Sequence, residues 1–316
     1  MPFAHSLNRI PTPLAGLALG IASLGLCLDQ RLGGQGQWQL AAALLAGLLL
    51  LLLLLKFLLN PGQLKQDLAH AVVGSVIPTF AMATMVIATS LYRFLPQQGL
   101  WLWQTGVALH LMMLLSFLYH RVKQPGWHHV VPSWFVPPVG IIVAAVTCPS
   151  DDVRPLATAL LYGGMLAYAV TLPLMLYRLI FHANVPEPAK PTIAILAAPA
   201  SLSLAGYLNL VSEPNALVVA LLLGIALLMT ALIYLAFFHL LQLPFSPGYA
   251  AFTFPMVIGA TALYQSADLF RHWQLEQANL LHHLADIELV IATAVVTYVG
   301  LRYLAAYWPR FGPAQS

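Results

Sequence analysis

Four prolines, Pro78, Pro137, Pro199 and Pro255, recur along this chain at intervals of 59, 62 and 56 residues, each within an apolar stretch. A further step of about 60 residues back from Pro78 reaches Ala18, inside the first apolar stretch. The repeat predicts one helical hairpin copied five times, with the proline in the first helix of each pair. A proline within a membrane helix leaves the carbonyl four residues earlier without its hydrogen bond, which is tolerated only where protein or water satisfies it. The proline-bearing helices are therefore expected to face a shared central axis.

The solvent follows from the scarcity of charge. Of 316 residues 7% are charged and 60% hydrophobic, and the mean hydropathy is +0.82, which marks an integral membrane protein and excludes a soluble one. Leu48 to Leu55 is an unbroken run of leucine, and the apolar stretch around it, Trp38 to Leu59, is long enough for a hydrocarbon core of about 30 Å. The net charge of +3 gives no case for nucleic-acid binding. Cys27 and Cys148 fall in the first and third repeats, which a ring of five hairpins would not place side by side, so no disulfide is expected. The start of the chain has the basic residue and apolar run of a signal peptide but no small-residue cleavage site, so the first span is expected to be retained.

Ten spans are predicted, at about 12–29, 38–59, 71–92, 99–120, 132–149, 154–181, 191–211, 215–242, 247–265 and 284–306. They form one transmembrane domain over 1–316, its five helix pairs covering about 12–59, 71–120, 132–181, 191–242 and 247–306. With both termini in the cytoplasm, the inner segments hold Arg9, Lys56, Lys65, Arg121, Lys123, Arg178, Lys190, Arg302 and Arg310, against Arg31, Arg93, Arg154 and Arg271 outside. That bias obeys the positive-inside rule and suits a bacterial-type inner membrane.

The two helices of a hairpin differ in kind. Odd spans are rich in Gly, Ala, Ser and Thr beside the proline, which permits close approach or leaves a lumen, whereas the second and eighth are mostly Leu and Ala, as suits a lipid-facing layer. Pro173 in the sixth span departs from this pattern. The odd spans 71–92, 132–149, 191–211 and 247–265 contain no Asp, Glu, Lys or Arg, so no proton or ion relay is visible and transport is expected to be little coupled to protons. The one titratable candidate read at that depth is His110 in the fourth span, expected to be a hydrogen-bonded packing residue. His272, Glu276 and His283 would share one face of a continuous helix, but the segment has no HExxH pattern, and a polar interfacial helix without metal or other cofactor is expected there. Trp127 and Trp134, flanking His128 and His129, are expected at the membrane surface. No phosphate-binding glycine loop and no G-x-S-x-G elbow occurs, so no enzyme is expected.

The entry PTPLAGLALGIASL, the seventh-span APASLSLAGYLNL and above all the ninth-span AAFTFPMVIGATALY resemble the tellurite-resistance, dicarboxylate-transporter and plant slow-anion-channel family over almost the whole chain. The resemblance implies an all-helical membrane fold of ten helices, with five hairpins around a quasi-five-fold pore, odd helices inside and even helices outside, and three protomers each with its own pore. It implies that Phe254 occludes the pore beside Pro255, with Leu17, Ala18, Ile77, Val136 and Ala198 at the equivalent positions of the other pore helices. Many relatives have proline where this chain has Ala18. An apolar ring at a constriction excludes water and gates by dewetting. The expected partners are small inorganic or organic anions and membrane lipids; the activity is an anion channel or uniporter or, alternatively, a proton-coupled carrier of C4-dicarboxylates, sulfite or tellurite-related oxyanions.

Overall fold

The computed structural model describes residues 7–182 and 184–307; the first six residues and Arg310 lie outside them. Among the described residues the chain is helical with no strand. In order it forms α1 (Leu14–Leu32), α2 (Gln37–Leu59), a short α3 (Pro61–Ala69), α4 (Val73–Val76), α5 (Thr79–Phe94), α6 (Pro96–Lys123), α7 (Val136–Val139), α8 (Val143–Val146), α9 (Arg154–Phe181), α10 (Ala198–Leu210), α11 (Ala216–Leu240), α12 (Thr253–His272) and α13 (Ala278–Tyr307). Eight helical stretches are long and apolar enough to cross a membrane. The expected ninth span, 247–265, covers a 3₁₀ turn and the first part of α12, and α12 is outside that set, since its last turns carry Gln265, Asp268, Arg271 and His272. The expected fifth is a shorter run, Pro132–Val146, broken by Pro137 and Pro138 into α7, a 3₁₀ step at Gly140–Ile142 and α8.

Packing separates the two kinds of helix. The best apolar windows of Leu14–Leu32, Val73–Phe94 and Glu187–Leu210 are 72, 72 and 78% buried, against 28, 28, 22, 33 and 33% for the even spans. The outward faces of the even helices are leucine-rich: on α2, Leu44, Leu48, Leu51 and Leu58 are exposed, as lipid contact requires. Contacts between the odd helices run in a closed cycle, α1 to α5, α5 to α8, α8 to α10, α10 to α12 and α12 back to α1. Each even helix packs on its own partner and on the next inner helix: α2 on α5, α6 on α7, α9 on α10, α11 on α12 and α13 on α1.

Close approach at the seam between α12 and α1 depends on a missing side chain. A Cβ at Gly20 would overlap Thr253 and come within 3.3 Å of the Phe254 nitrogen, while the Thr253 hydroxyl donates to the Gly16 carbonyl at 3.1 Å. Gly20→Val is expected to lower stability by about 1–3 kcal/mol through overpacking, read as an earlier unfolding transition in detergent. A transition unchanged from the parent would show that the seam can yield.

The prolines do not sit in mid-helix as expected. Pro78 is the N-cap of α5, and Pro137, Pro199 and Pro255 lie in the first turn of α7, α10 and α12, the last two after 3₁₀ turns at Glu187–Ala197 and Pro247–Phe252. A first-turn N–H has no intrahelical partner anyway, so proline there sacrifices nothing and sets φ for the turn. In the first repeat that place belongs to Pro13, the N-cap of α1, and Ala18 lies in uninterrupted helix. Pro173 lies inside α9, which continues through it.

A repeated polar clamp closes the end where the odd helices begin. Near the C-terminal end of the outer helix a buried side chain reaches a carbonyl in the segment that precedes its own inner helix. Lys56 donates to Ile10 at 2.8 Å, Arg121 to Ala69 at 2.5 Å, Arg178 to Trp127 at 2.7 Å and the Tyr303 hydroxyl to Pro247 at 2.5 Å. Three of these residues are cations counted as topological signals, and each is at most 7% exposed. At the opposite end Arg31 pairs with Asp286 at 2.7 Å and Arg93 with Asp29 at 3.6 Å, joining α1 to α13 and α5 to α1.

Candidate functional site

Where the odd helices begin, they surround a cavity of about 920 Å³. Its wall is made of first-turn residues and their neighbours: Pro13, Gly16 and Leu19 from the first repeat, Val76, Thr79 and Met82 from the second, Val136 and Val139 from the third, Ala198, Pro199 and Leu202 from the fourth, Phe254 and Pro255 from the fifth. Small and apolar side chains dominate because the helices pack closely there. Of the residues expected at a pore, Phe254, Pro255, Pro199, Val136 and Ala198 are on this wall. Pro78, Pro137, Leu17, Ala18 and Ile77 are not. Leu17, Ala18 and Ile77 are turned into helix packing, at 2, 0 and 1% exposure, because successive helical residues point about 100° apart and the register differs by one to three positions.

Phe254 is 8% exposed, with its accessible part on the cavity. It follows Thr253, whose hydroxyl is held by the carbonyls of Gly16 and Ala250, so the start of α12 is fixed against α1. The charged wall residues, Arg9, Lys56 and Asp67, are gathered at the mouth. There Lys56 and Asp67 approach to 3.8 Å, the Thr12 hydroxyl donates to Asp67 at 2.5 Å, Gln63 donates to its other oxygen at 2.7 Å, and Lys56 donates to Thr12 at 3.1 Å. This knot ties the entry segment of α1 to the ends of α2 and α3. Across the mouth, the His128 and His129 rings lie with centroids 3.9 Å apart and planes tilted by 46°, and burial, then His128, Arg121 and His70, hold the His129 imidazole below its ordinary pKa.

His110 lies behind the wall. It is fully buried on α6, and its Nε2 donates to the Pro137 carbonyl at 2.9 Å, beside the 3₁₀ step that interrupts the fifth span. His272, Glu276 and His283 do not share a helix face: α12 ends at His272, the chain turns with Gln274 at φ 57°, and α13 starts at Ala278. No group of three or more His, Cys, Asp or Glu able to hold a metal occurs among the described residues. Cys27 and Cys148 are unpaired thiols.

One titratable group escaped the charge reading, which names His110 alone at depth. Glu288, on α13, is 5% exposed and accepts a hydrogen bond from the Tyr234 hydroxyl of α11, while its Oε1 has no partner. Its signal in the sequence is an acid eleven residues into the helix, at the head of the apolar run that follows Asp286.

The sequence profile of a family described as voltage-dependent anion channel matches residues 10–304. An uncharacterized transporter of Methanocaldococcus jannaschii is 26% identical over 231 residues, covering 64% of this chain and 66% of the relative. A second uncharacterized transporter of that organism is 25% identical over 218 residues, covering 60% of this chain and 62% of the relative. The matched part thus spans somewhat under two thirds of each curated relative. With its eight apolar helices and a profile match from the segment before α1 almost to the end of α13, the chain is a multi-pass membrane protein that belongs to the voltage-dependent anion channel family.

Proposed function

We propose that the protein is a passive anion pathway, a channel or uniporter, built as five helix pairs around a pore that Phe254 occludes. The observation that carries this reading is the apolar cavity at the helix starts, with Phe254 and Pro255 on its wall. Four helices of thirteen or more residues, α1, α5, α10 and α12, begin at that wall. Helix N-termini carry a positive partial charge, so their convergence favours anions without a charged side chain in the lumen. The cycle of contacts and the difference in burial support ten spans with the odd ones inside, the fifth and ninth completing the eight that are long and apolar enough to cross. The bias of basic residues supports a reading in which the cavity mouth and both termini face the cytoplasm at a bacterial-type inner membrane. A homotrimer with one pore per protomer follows from the family resemblance.

Recording from purified protein in planar bilayers tests this, with chloride, nitrate and malate compared. Currents that follow membrane potential are expected, with the easily dehydrated nitrate favoured over chloride and malate. Saturable flux that disappears when the pH gradient is collapsed at constant potential would instead establish the carrier of dicarboxylates, sulfite or tellurite-related oxyanions.

A further inference from the structure

A second, smaller cavity of about 200 Å³ lies between α10, α11, α12 and α13, and Glu288 is its one acid. It is lined by Ser201, Tyr234, Gly259 and Glu288 on the protein side and by Leu227 and Ile287, both exposed on the outer surface, on the lipid side. The same two inner helices separate it from the large cavity. On α10, Pro199 faces the large space and Ser201 the small one; on α12, Phe254 faces the large space and Gly259 the small one. Gly259 matters because a Cβ there would meet Glu288 Oε1 at 2.9 Å. The carboxyl therefore rests against the backbone of the helix that carries Phe254, five residues further along. Glu288 is ten residues from the start of α13, about 15 Å along that helix, and falls inside the expected tenth span, 284–306.

An acid within a membrane span is costly, which makes it a candidate for a functional role. The one hydroxyl donor serves Oε2, and Oε1 is left without a partner among the described residues at a crevice that opens toward lipid. Among the described residues no cation bonds to Glu288. The helix of Glu288 packs on α12, α1 and the 3₁₀ turn Pro247–Phe252, and its one described polar partner is Tyr234 from α11. Arg31, Tyr264, His282 and Asp286 bond among themselves, and Arg302 and Tyr298 form another pair, none of them to Glu288. Around Gly259 on α12 the crevice-lining residues are Ala262 and Leu263, and on α10 Ser201 donates to the Ala197 carbonyl.

We propose that Glu288 is a proton-binding site within the membrane, coupled through Gly259 to the pore helix α12, so that anion flux depends on whether this carboxyl holds its proton. The neutral acid leaves the back of the pore wall uncharged. Loss of the proton puts a negative charge against α12, which opposes the passage of anions. Flux is therefore high with the proton bound and falls as pH rises. This differs from symport, since no gradient is needed.

The experiment uses the full chain in proteoliposomes, at equal pH on both sides. Chloride flux is expected to fall severalfold as pH is stepped upward, and Glu288→Gln, which mimics the neutral acid, to be high and flat in pH. A Glu288→Gln curve that follows the parent's would overturn the proposal. If that variant does not fold, Tyr234→Phe removes the donor that favours the carboxylate and should move the curve to higher pH; an unmoved curve counts against the site. A lipid-soluble carbodiimide supplies a readout independent of flux. A protonated carboxyl adds across it to give a stable acylurea with nothing released, so mass spectrometry should find the adduct on the Glu288 peptide, diminishing as pH rises. No adduct at any pH would also overturn the proposal. Labelling of Glu288 in a protein that passes no anion would count against the channel reading while leaving the proton site standing.

Discussion

Phe254→Ala is expected to raise basal anion current by about tenfold or more, equivalent to about 1.4 kcal/mol from the permeation barrier. The ring stands on the apolar wall where α12 begins, and if it occludes the pore as proposed, its loss lets the narrow part wet, so the barrier from dewetting falls without any new charge. The cost to folding separates this role from simple packing. A phenylalanine enclosed on all sides would cost about 3–5 kcal/mol on truncation, by analogy with soluble proteins. Phe254 has a face on an existing cavity, so its removal enlarges a space rather than creating one, and the loss should fall below that range. Unchanged current per folded protein, with a large drop in thermal stability in detergent, would identify a packing residue.

Asp67→Ala should have the largest effect on folding, a loss of about 3–5 kcal/mol, because breaking a buried ion pair strands the remaining charge. Lys56 is 3% exposed and would keep the Ile10 carbonyl and the Thr12 hydroxyl but no anion, and Thr12 and Gln63 would lose their acceptor. The double variant Lys56→Met with Asp67→Leu should recover most of that loss, since paired replacement by apolar groups is often neutral. Thermal unfolding in detergent of Lys56→Met, Asp67→Leu and the double gives the coupling between them directly. Additive losses would mean that the two residues act separately, and that the knot at the cavity mouth is incidental.

The spans were legible where a single apolar run decides them: 38–59 and 154–181 lie within a residue of α2 and α9. The recurring proline located four inward-packed helices because each of these prolines stands at the N-cap or in the first turn of one. It could not reveal that the proline starts the α-helical part, since a first-turn proline and a kinking one look the same in one dimension. The short α3 was missed because nine polar-rich residues carry no span signal. Lys56, Arg121 and Arg178 read as topological charges; that they are buried donors depends on carbonyls 46, 52 and 51 residues away, which no local pattern encodes. Glu288 was passed over because the charge reading followed the proline-bearing helices, and the acid sits on an outer helix that presses on one of them.

Each outer helix overlaps the seam between two inner ones, as the laths of a cask would if every joint were covered by a second lath. In such a wall no two inner helices can part without also pulling an outer helix off one of them, and the last joint shuts the first. Rocking one half of the molecule against the other, the usual means by which a carrier exposes its cargo to alternate sides, would strain several joints at once. What can move cheaply is a side chain at the wall, and rotamer changes take picoseconds to nanoseconds when unhindered, against microseconds to milliseconds for domain motions. The pathway is thus expected to open at fixed girth, with flux set by how often a single ring swings aside.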